Sequence, residues 1–585
     1  MKIAAWMDRG KMVRAAMGRI PCDLTVCNIR LVNMFSGEVY PAQVDILDGI
    51  IVRVRTEGEC PALPPEQFFD GGGRYLIPGF IDSHLHVEST MMIPENFARA
   101  VLPWGTTTIV MDPHEIANVM GIQGVSFMLD NAKKTPLRQF ALAPSCVPSV
   151  PGVENSGAVF GEEEIARLLD MPDVLGIAEI MNYVDVCQGD ARMSLIIAQG
   201  LKRNLYLQGH APRLEGNALA AYLLAGPESD HECRSARECG EKVRQGMHVN
   251  LKTSSLSNHL PDALEGIREH RWHDSVSLCT DDVHAGVIYS EGHLNRVVGK
   301  AIEYGAHPLD AIRYASYNAA REYGFEDLGA IAPGYVADMQ LVDALDGQRP
   351  SHVFCRGQLV AENGRYLGSP CGGGLRFSNT MKLSCLSGPG DFRLKAPALP
   401  GKTLVVYSKY DGPFNKAFYE SLPVEDGYIS VRHDSGLAMA CVCNRYGLDQ
   451  RTIVPIRDFG ITEGAIATTV SHDCHNLTMI YRDPEDAWIA AKTLKESGGG
   501  IAVVLNGRVL ASLALPVGGL MSNLPIESLA PQVERVEKAV YDLCAGKSSL
   551  LKMSTFALAA LPGAIMTDRG VLDGESQTFM PVFLA

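Results

Sequence analysis

The sequence offers no stretch of about 18 uninterrupted apolar residues, which is the length that a membrane-spanning helix requires. It also shows no signal peptide, because residues 1–20 intersperse Lys and Arg among the apolar residues and lack a continuous apolar core. Both absences argue against a membrane-spanning or secreted protein. We therefore expect a cytoplasmic protein.

Clustered cysteines and an excess of basic residues are also missing. The 15 cysteines are scattered with no C-x-x-C pair, so we expect reduced thiols and no disulfide framework. The net charge of −15 disfavours non-specific binding to nucleic acid or to an anionic membrane. The Gly-rich runs at 71–73, 372–374 and 498–500 lack a P-loop lysine and a dinucleotide-binding context, and we interpret them as turns.

What the chain does contain is a regular alternation of strand-like and helix-like segments. Its 585 residues, 46% hydrophobic and 20% charged, predict a globular protein of about two to four domains. Between about residues 75 and 282, short apolar runs alternate with longer helical segments, which predicts parallel βαβ units. Eight such runs predict a TIM-type (β/α)8 barrel, the sixth being the least strand-like. The runs are YLIPGFID, TTTIVMD, QFALAP, VLGIAE, LYLQGH, GPESDH, MHVNLK and SVSLCTDD.

The segments on either side of this region predict further domains. Residues 23–55 contain several short strand patterns with turn signals at Ser36-Gly37 and Asp48-Gly49, and strand patterns return at about 331–367. We predict an α/β fold in which residues 1–74 and the return segment 326–384 build a small β-sandwich. The (β/α)8 barrel then occupies 75–325, and an additional C-terminal α+β domain occupies 385–585.

Histidine and carboxylate side chains stand at the ends of the predicted barrel strands. His84 and His86 end the first strand, and side chains at i and i+2 of a strand point to the same face. A TIM barrel carries its active site at the carboxyl ends of its strands. Later strand ends add Glu179, His210, His231 and Asp281.

These six residues suit a two-metal hydrolase. Four imidazoles and two carboxylates are enough to hold two divalent ions, and a carboxylate such as Glu179 can bridge them. A metal pair lowers the pKa of a shared water to near neutrality and so produces hydroxide. Asp281 can accept a proton from that water and pass it to a leaving group.

Each residue by itself also has a structural interpretation. The paired histidines can be packed in a core, Glu179 can be an ordinary strand-end carboxylate, and His210 can cap a turn. His231 can be a solvated loop residue, and the run Thr280-Asp281-Asp282 can form a helix N-cap. Only the coincidence of all six at strand ends favours a metal site.

Longer motifs resemble a known family. PGFIDSHLHVEST, Glu179, GHAP, the strand-six histidine, CTDD and IAPGYVAD are similar to the amidohydrolase superfamily. A narrower resemblance, to the bacterial adenine deaminases, covers essentially the whole chain, including a C-terminal region that most amidohydrolases lack. It rests on HVESTMM, MDPHEIANVMG (111–121), SCVP (145–148), GIAEIMN (176–182), CTDD (279–282), GAIATTVSHDCHNLTMI (464–480) and LPVGGLMSN (515–523).

The resemblance implies a two-metal barrel enzyme that uses Mn²⁺ or Fe²⁺, with Zn²⁺ as an alternative, and no redox cofactor. It implies conversion of adenine and water to hypoxanthine and ammonia. Separately, we expect a homo-oligomer, for which a dimer is the simplest state. Where many amidohydrolases have a carbamylated lysine, strand four ends in Glu179, which favours the deaminases over hydantoinase-like or urease-like relatives. Glu179 and Asp281 take the catalytic roles, and the implied metal ligands are His84, His86, Glu179, His210, His231 and Asp281.

The sequence departs from the family after strand seven. Many members show a run like REGS there, whereas this chain has Lys252-Thr253-Ser254-Ser255. This loop borders the predicted barrel mouth. The departure therefore bears on substrate preference more than on the metal site.

Other polar residues are candidates for binding substrate or for orienting the metal ligands. Asp112, His114 and Glu115, just after strand two, can instead form the N-terminus of a helix with acidic residues in its first turn. The polar run 471–476 either covers the barrel mouth or forms a solvated turn, and we disfavour a third metal or a nucleophilic Cys474 in it. Glu232 and residues 472–475 are also candidates for the acid that protonates the substrate ring. The full set is Glu88, Asp112, His114, Glu115, Glu232, Asp282, His472 and His475, with Ser89 beside Glu88.

Two other functions stay open at this point. One is a hydrolase on the same scaffold that acts on another cyclic amidine or amide, which the departure at 252–255 supports. The other is a non-enzymatic binding paralogue. The complete ligand set argues against the second, because a paralogue without activity is expected to lose ligands.

Overall fold

The chain begins with a helix and four strands. They are α1 (Arg9–Ala16), β1 (Leu24–Val32), β2 (Val39–Leu47), β3 (Ile50–Thr56) and β4 (Gln67–Pro78). As predicted, Asp48 and Gly49 form the turn between β2 and β3, with φ of 49° and 78°, the left-handed pair that a two-residue hairpin needs.

The computed structural model describes residues 1–56, 59, 63–255, 257–369, 377–398, 401–408, 414–434 and 436–584, so the glycine run at 372–374 lies outside the described residues.

The glycine run 71–73 is not the turn that the sequence predicts. It lies inside β4, where the pairing with β1 skips from Asp70 to Arg74. Gly72 and Gly73 have φ of 64° and 74°. The run is therefore an irregular bulge, because glycine adopts positive φ without a steric penalty.

Eight parallel strands follow and carry the predicted ligands. They form a five-stranded sheet, β5 to β9, and a three-stranded sheet, β10 to β12, both in chain order. The predicted sixth strand is indeed the shortest, with two residues. The strands are β5 (Phe80–Leu85), β6 (Thr106–Met111), β7 (Arg138–Ala143), β8 (Val174–Ile180), β9 (Tyr206–Gly209), β10 (Ser229–Asp230), β11 (His248–Lys252) and β12 (Val276–Cys279).

Hydrogen bonds join the two parallel sheets at both edges. Between β9 and β10, the Glu228 N–H donates to the Leu207 carbonyl at 2.8 Å. Between β12 and β5, the Asp281 N–H donates to the His84 carbonyl at 3.0 Å, and the His86 N–H donates to the Asp281 carbonyl at 3.4 Å. The last strand thus meets the first at the position of three predicted ligands.

The structure divides the run that the sequence presents as the first barrel strand. YLIPGFID belongs to β4 up to Pro78 and to β5 from Phe80. The Gly79 N–H donates to the Asp338 carbonyl at 2.9 Å, and a Cβ at Gly79 would lie 2.3 Å from the Thr107 hydroxyl. Pro78 cannot extend the ladder through an N–H, so the chain changes sheets here.

Thirteen α-helices accompany or follow the parallel strands within the described residues. They are α2 (Pro94–Val101), α3 (His114–Met120), α4 (Ile122–Ala132), α5 (Glu162–Leu169), α6 (Tyr183–Gln188), α7 (Ala191–Arg203), α8 (Gly216–Ala225), α9 (Ala236–Arg244), α10 (Leu260–Ile267), α11 (Ala285–Ser290), α12 (Leu294–Glu303), α13 (Pro308–Arg313) and α14 (Ala319–Glu322). Their ends follow ordinary capping chemistry: Asp190 accepts the Met193 N–H at 3.0 Å to begin α7, and Asn204, with φ of 52°, ends it.

The chain then returns to the first sheet. The returning strands are β13 (Met339–Val342), β14 (His352–Cys355), β15 (Gln358–Glu362) and β16 (Arg365–Tyr366). The sheet order is β16-β15-β14-β13-β4-β1-β2-β3, so strands of the two flanking segments belong to one sheet. Val44 of β2 and Phe354 of β14 lie in the same buried cluster although their strands are not neighbours, so the sheet folds over its own core.

A second large sheet organises the C-terminal region. It has the order β18-β17-β22-β21-β24-β23-β25-β26, with β30 beside β17. The helices are α15 (Pro484–Ser497), α16 (Ile526–Leu543) and α17 (Leu550–Ser554). The strands are β17 (Lys402–Tyr407), β18 (Lys416–Glu420), β19 (Val424–Glu425), β20 (Tyr428–Ile429), β21 (Leu437–Cys443), β22 (Arg451–Arg457), β23 (Ala465–Thr468), β24 (Leu477–Tyr481), β25 (Gly500–Leu505), β26 (Arg508–Ala514), β27 (Ala564–Thr567), β28 (Gly570–Asp573), β29 (Thr578–Met580) and β30 (Phe583–Leu584).

The C-terminal region packs on segments that follow the parallel strands. The Ser522 N–H donates to the Met91 carbonyl at 2.8 Å, and the Ile93 N–H donates to the Ser522 carbonyl at 3.3 Å. One buried apolar cluster contains both Ile116 of α3 and Leu520 of the C-terminal region. Across the described part of the chain, the helices are too short or too polar to traverse a bilayer.

Gly176→Ala should destabilise the protein, because the added Cβ would lie 1.9 Å from the Tyr206 carbonyl oxygen on the neighbouring strand. Overpacking of this kind costs about 1–3 kcal/mol or more. Gly388→Ala is the matched control, since Gly388 has extended backbone and open space around it. The midpoint of urea unfolding measures the effect, and equal midpoints for the two variants would contradict this packing.

Candidate metal centre

The six predicted ligands converge at the carboxyl ends of the parallel strands. Asp281 has the left-handed backbone conformation, with φ of 56°, which aspartate tolerates better than most residues. It is therefore not the N-cap of a helix, and α11 begins only at Ala285. His210 is partly exposed and the other five are buried. Their positions are β5 and its end (His84, His86), β8 (Glu179), and the residues after β9, β10 and β12 (His210, His231, Asp281).

The Glu179 carboxylate lies at the centre of four imidazoles. Its Oε1 atom lies 3.2 Å from His84 Nε2 and 3.0 Å from His86 Nε2. Its Oε2 atom lies 2.6 Å from His210 Nδ1 and 3.5 Å from His231 Nε2. Each oxygen therefore serves one pair of histidines, as a carboxylate that bridges two ions does.

The donor atoms fit a divalent cation. Asp281 Oδ1 lies 3.3 Å from both His84 Nε2 and His86 Nε2. Ligands about 2.0–2.2 Å from a shared ion lie roughly 3–3.5 Å from one another. His84 Nε2 is also buried without a hydrogen-bond partner in the described structure, which a metal ion would satisfy.

Neighbouring groups fix the orientation of the first two histidines. His84 Nδ1 lies 3.0 Å from Gln208 Oε1, and His86 Nδ1 lies 3.0 Å from the Asp112 carbonyl. Both partners are acceptors, so each ring carries its proton on Nδ1 in the neutral state. The Nε2 lone pairs are then available to a metal ion.

Opposite charges balance one another within the cluster. Burial lowers the pKa of His84, but the neighbouring carboxylates of Asp281 and Glu179 raise it to about 9. Burial raises the pKa of Glu179, but His231 and His210 hold it well below its usual range. Imidazole binds a metal only in its neutral form, so metal binding here would release protons from the cluster.

Lys252 enters the site although it was not among the predicted site residues. Its ammonium lies 2.5 Å from Asp281 Oδ2 and also contacts Glu232 Oε1. Burial lowers the pKa of Lys252, but the two carboxylates hold it well above its usual range. Its place at the end of β11, in the run that departs from the family pattern, was the available signal.

The two carboxylates beside the main ligands lie at the rim of the cluster. Glu232 pairs with Lys252 and also lies 3.1 Å from Arg234 Nη2. Asp282 accepts a hydrogen bond from the Ser89 hydroxyl, and its oxygens lie near those of Asp281. Both residues are half-buried, as expected at the mouth of a site.

The residues after β6 extend the cluster on one side. His114 Nδ1 lies 2.9 Å from Asp112 Oδ2, and the His114 ring centroid lies 4.6 Å from that of His86. His114 Nε2 lies 3.4 Å from Glu115 Oε1. Glu88 Oε1 accepts the N–H of Ile116 at 3.1 Å. The start of α3 is therefore both a helix N-terminus and a wall of the site.

The polar run 471–476 is buried against this wall. His472 Nδ1 contacts Glu115 Oε1, and His475 Nε2 contacts Glu115 Oε2. Asp473 Oδ1 lies 3.8 Å from His114 Nε2. The run is thus not a solvated turn. Cys474 is buried and its thiol pKa is raised by burial, which leaves it unsuited to act as a nucleophile.

Comparison with known proteins agrees with this arrangement. Residues 75–360 match the amidohydrolase family, and residues 414–578 match the adenine deaminase C-terminal domain. The chain is 36% identical over 574 residues to an adenine deaminase of Moorella thermoacetica, with 96% of both chains covered. The chain belongs to the adenine deaminase family of amidohydrolases. Adenine deaminase 3 of Rhizobium meliloti, 37% identical over 574 residues and again covered to 96%, is a second full-length relative, so the resemblance inferred from the motifs is confirmed.

Glu179→Gln should lower the amount of divalent metal that the purified protein holds, because the amide offers one neutral oxygen where the carboxylate offers two charged ones. We expect about two ions per chain in the parent and a clear loss in the variant. Elemental analysis after equilibration with Mn²⁺ measures this. Glu95→Gln, at a buried carboxylate beside Asn131, is the control, and full occupancy in Glu179→Gln would contradict the bridging role.

Lys252→Met should destabilise the metal-free protein, because it leaves the buried Asp281 and the half-buried Glu232 without the cation that they share. Breaking a buried ion pair costs about 3–5 kcal/mol. Added Mn²⁺ should recover part of the loss, since it supplies positive charge beside Asp281. Lys300→Met, at an exposed pair with Glu303, should change little. Identical unfolding midpoints for the two variants without metal would overturn this role of Lys252.

Proposed function

We propose that this chain catalyses the hydrolytic deamination of adenine to hypoxanthine and ammonia. The observation that carries the proposal is the cluster of four imidazoles and two carboxylates around Glu179. The similarity of nearly the whole chain to adenine deaminases supports the same proposal. The hydrolysis requires water and no redox cofactor.

The proposed scaffold is a complete (β/α)8 barrel over residues 75–325. The hydrogen bonds that join β9 to β10 and β12 to β5 support closure of the eight strands. Residues 1–74 and 326–384 form the small β-sandwich domain, which the eight-stranded sheet supports. Residues 385–585 form the additional α+β domain.

The proposed metal ligands divide into two groups about Glu179. His84, His86 and Asp281 would hold one ion, with Mn²⁺ or Fe²⁺ favoured over Zn²⁺. His210 and His231 would hold the other. Bound in this way, the two ions would supply hydroxide from water near neutral pH and stabilise negative charge that develops during attack.

Asp281 is the proposed proton carrier. Burial raises its pKa, but Lys252 holds it well below its usual range, so the carboxylate is ionised near neutral pH. It takes the proton of the attacking water and delivers it to the departing amine. Lys252 keeps the carboxylate in place at 2.5 Å.

The remaining polar residues are proposed to surround the substrate or to orient the ligands. Two arrangements support this. The rim carboxylates Glu232 and Asp282 are half-buried beside the cluster. The wall formed by Glu88, Asp112, His114, Glu115, His472 and His475 connects the barrel to the C-terminal domain.

We also propose a cytoplasmic, homo-oligomeric enzyme, with a dimer as the simplest state. The free thiols of the described cysteines fit a reducing compartment.

A hydrolase of another cyclic amidine or amide is the second candidate function. Lys252 favours it, because this residue stands at the site where the run departs from the family pattern. Ammonia release from a panel of purines and cyclic ureas decides between the two.

Asp281→Asn should lower kcat for adenine by about 10²–10⁴-fold, because an amide cannot accept the proton. Asp282→Asn should have a milder effect, since that carboxylate lies at the rim. Ammonia release and metal content are measured on the same preparations, which separates proton transfer from ligand loss. An Asp281→Asn variant with full activity would remove this mechanism.

A further inference from the structure

One carboxylate of the barrel connects two histidines of the C-terminal domain. Glu115, in the first turn of α3, contacts His472 through Oε1 and His475 through Oε2. The Glu115 side chain is 2% exposed, so water does not screen these contacts. Direct contact of each oxygen with one imidazole nitrogen is the geometry of charge-assisted hydrogen bonds.

The two histidines differ in what their second nitrogen does. His475 Nδ1 accepts the Ser471 N–H at 3.2 Å, so both of its nitrogens are engaged, and its side chain is 1% exposed. His472 Nε2 makes no hydrogen bond to any residue in the described ranges, and the His472 side chain is 11% exposed. His472 alone therefore presents an unused ring nitrogen to accessible space.

The charges around the two rings place the proton on His472. Burial lowers the pKa of His472, but the charges of Glu115, Asp282 and Asp473 raise it to about 9. Burial lowers the pKa of His475 to about 4, and the opposing charge of Glu115 does not restore it. Near neutral pH, His472 is an imidazolium and His475 is neutral.

The position of His472 relative to the metal ligands follows from its neighbours. Glu115 is joined through His114 to His86, and Asp282 is the residue after Asp281. The charges of Glu115 and Asp282 both raise the pKa of His472. The loop thus brings a cationic N–H donor from the C-terminal domain to the side of the cluster that His114, Glu115 and Asp282 form.

We propose that His472, oriented by Glu115, donates its Nε2 proton to ring nitrogen N1 of the purine, beside the carbon that is attacked. This deepens the proposed function and rests on it. His475 is a positioning residue, because it holds the second oxygen of Glu115 and keeps that carboxylate aimed at His472.

The proton transfers balance over one turnover. As the water oxygen bonds to C6, the His472 proton moves to N1, where it remains in hypoxanthine. The C6–N6 bond then breaks, and one proton of the water leaves with the amine through Asp281 to give ammonia. The other proton of the water replaces the one that His472 lost.

The test uses His472→Asn and Glu115→Gln in the metal-loaded full chain, with the exposed His433→Ala (76% exposed side chain) as the control. We expect His472→Asn to lower kcat/KM for adenine by about 10²–10⁴-fold without loss of metal. In the parent, kcat/KM should fall as pH rises through about 9, the pKa of His472. In Glu115→Gln this fall should move to lower pH, because the imidazolium has lost its anion.

A second readout does not depend on turnover. Nuclear magnetic resonance titration of the His472 ring in the parent and in Glu115→Gln should show a higher pKa in the parent. Unchanged kcat/KM in folded His472→Asn, or a His472 pKa that Glu115→Gln leaves in place, would overturn the inference. A third equivalent of metal that is lost in His472→Asn would overturn it in favour of a cation site. Absence of ammonia release from adenine by the parent would instead count against the proposed function, and the titration would still report on Glu115 and His472.

Discussion

The contact of one buried carboxylate with four imidazoles is the interaction on which the site depends. Glu179 receives His84 and His86 at one oxygen and His210 and His231 at the other. A buried charge is costly unless it is paired. The carboxyl ends of β5, β9 and β10 must therefore lie next to the end of β8, which carries Glu179. A change in the register of these strands would separate the buried carboxylate from its imidazole partners.

The same constraint extends outward from Glu179. Asp281 Oδ1 also lies 3.3 Å from both His84 Nε2 and His86 Nε2, and the Lys252 ammonium balances the charge of Asp281. On the other side, His114 and Glu115 continue the polar contacts to His472 of the C-terminal domain. Because these groups are buried, each needs a charged or polar neighbour in place of water. The contact of Glu115 with His472 therefore makes the C-terminal domain a contributor to the charge balance of the site.

Much of the fold and most of the cluster follow from local sequence pattern. The alternation of apolar runs and helical segments predicts the parallel strands, and the short sixth strand is already visible in GPESDH. The histidines and carboxylates at strand ends predict the metal cluster, because parallel strands present their carboxyl ends at one edge. The split at Pro78-Gly79 was missed, because a continuous apolar run does not reveal that its halves pair with different sheets.

Sequence by itself determined the residue types, their spacing and the strand ends that carry them, because these depend on local backbone preferences and on apolar periodicity. Tertiary structure alone decided which charges meet. Lys252 lies 29 residues from Asp281 and 20 from Glu232, and Glu115 lies 357 residues from His472. No local pattern encodes such pairs, since they arise only when distant segments pack and bury their charges against one another.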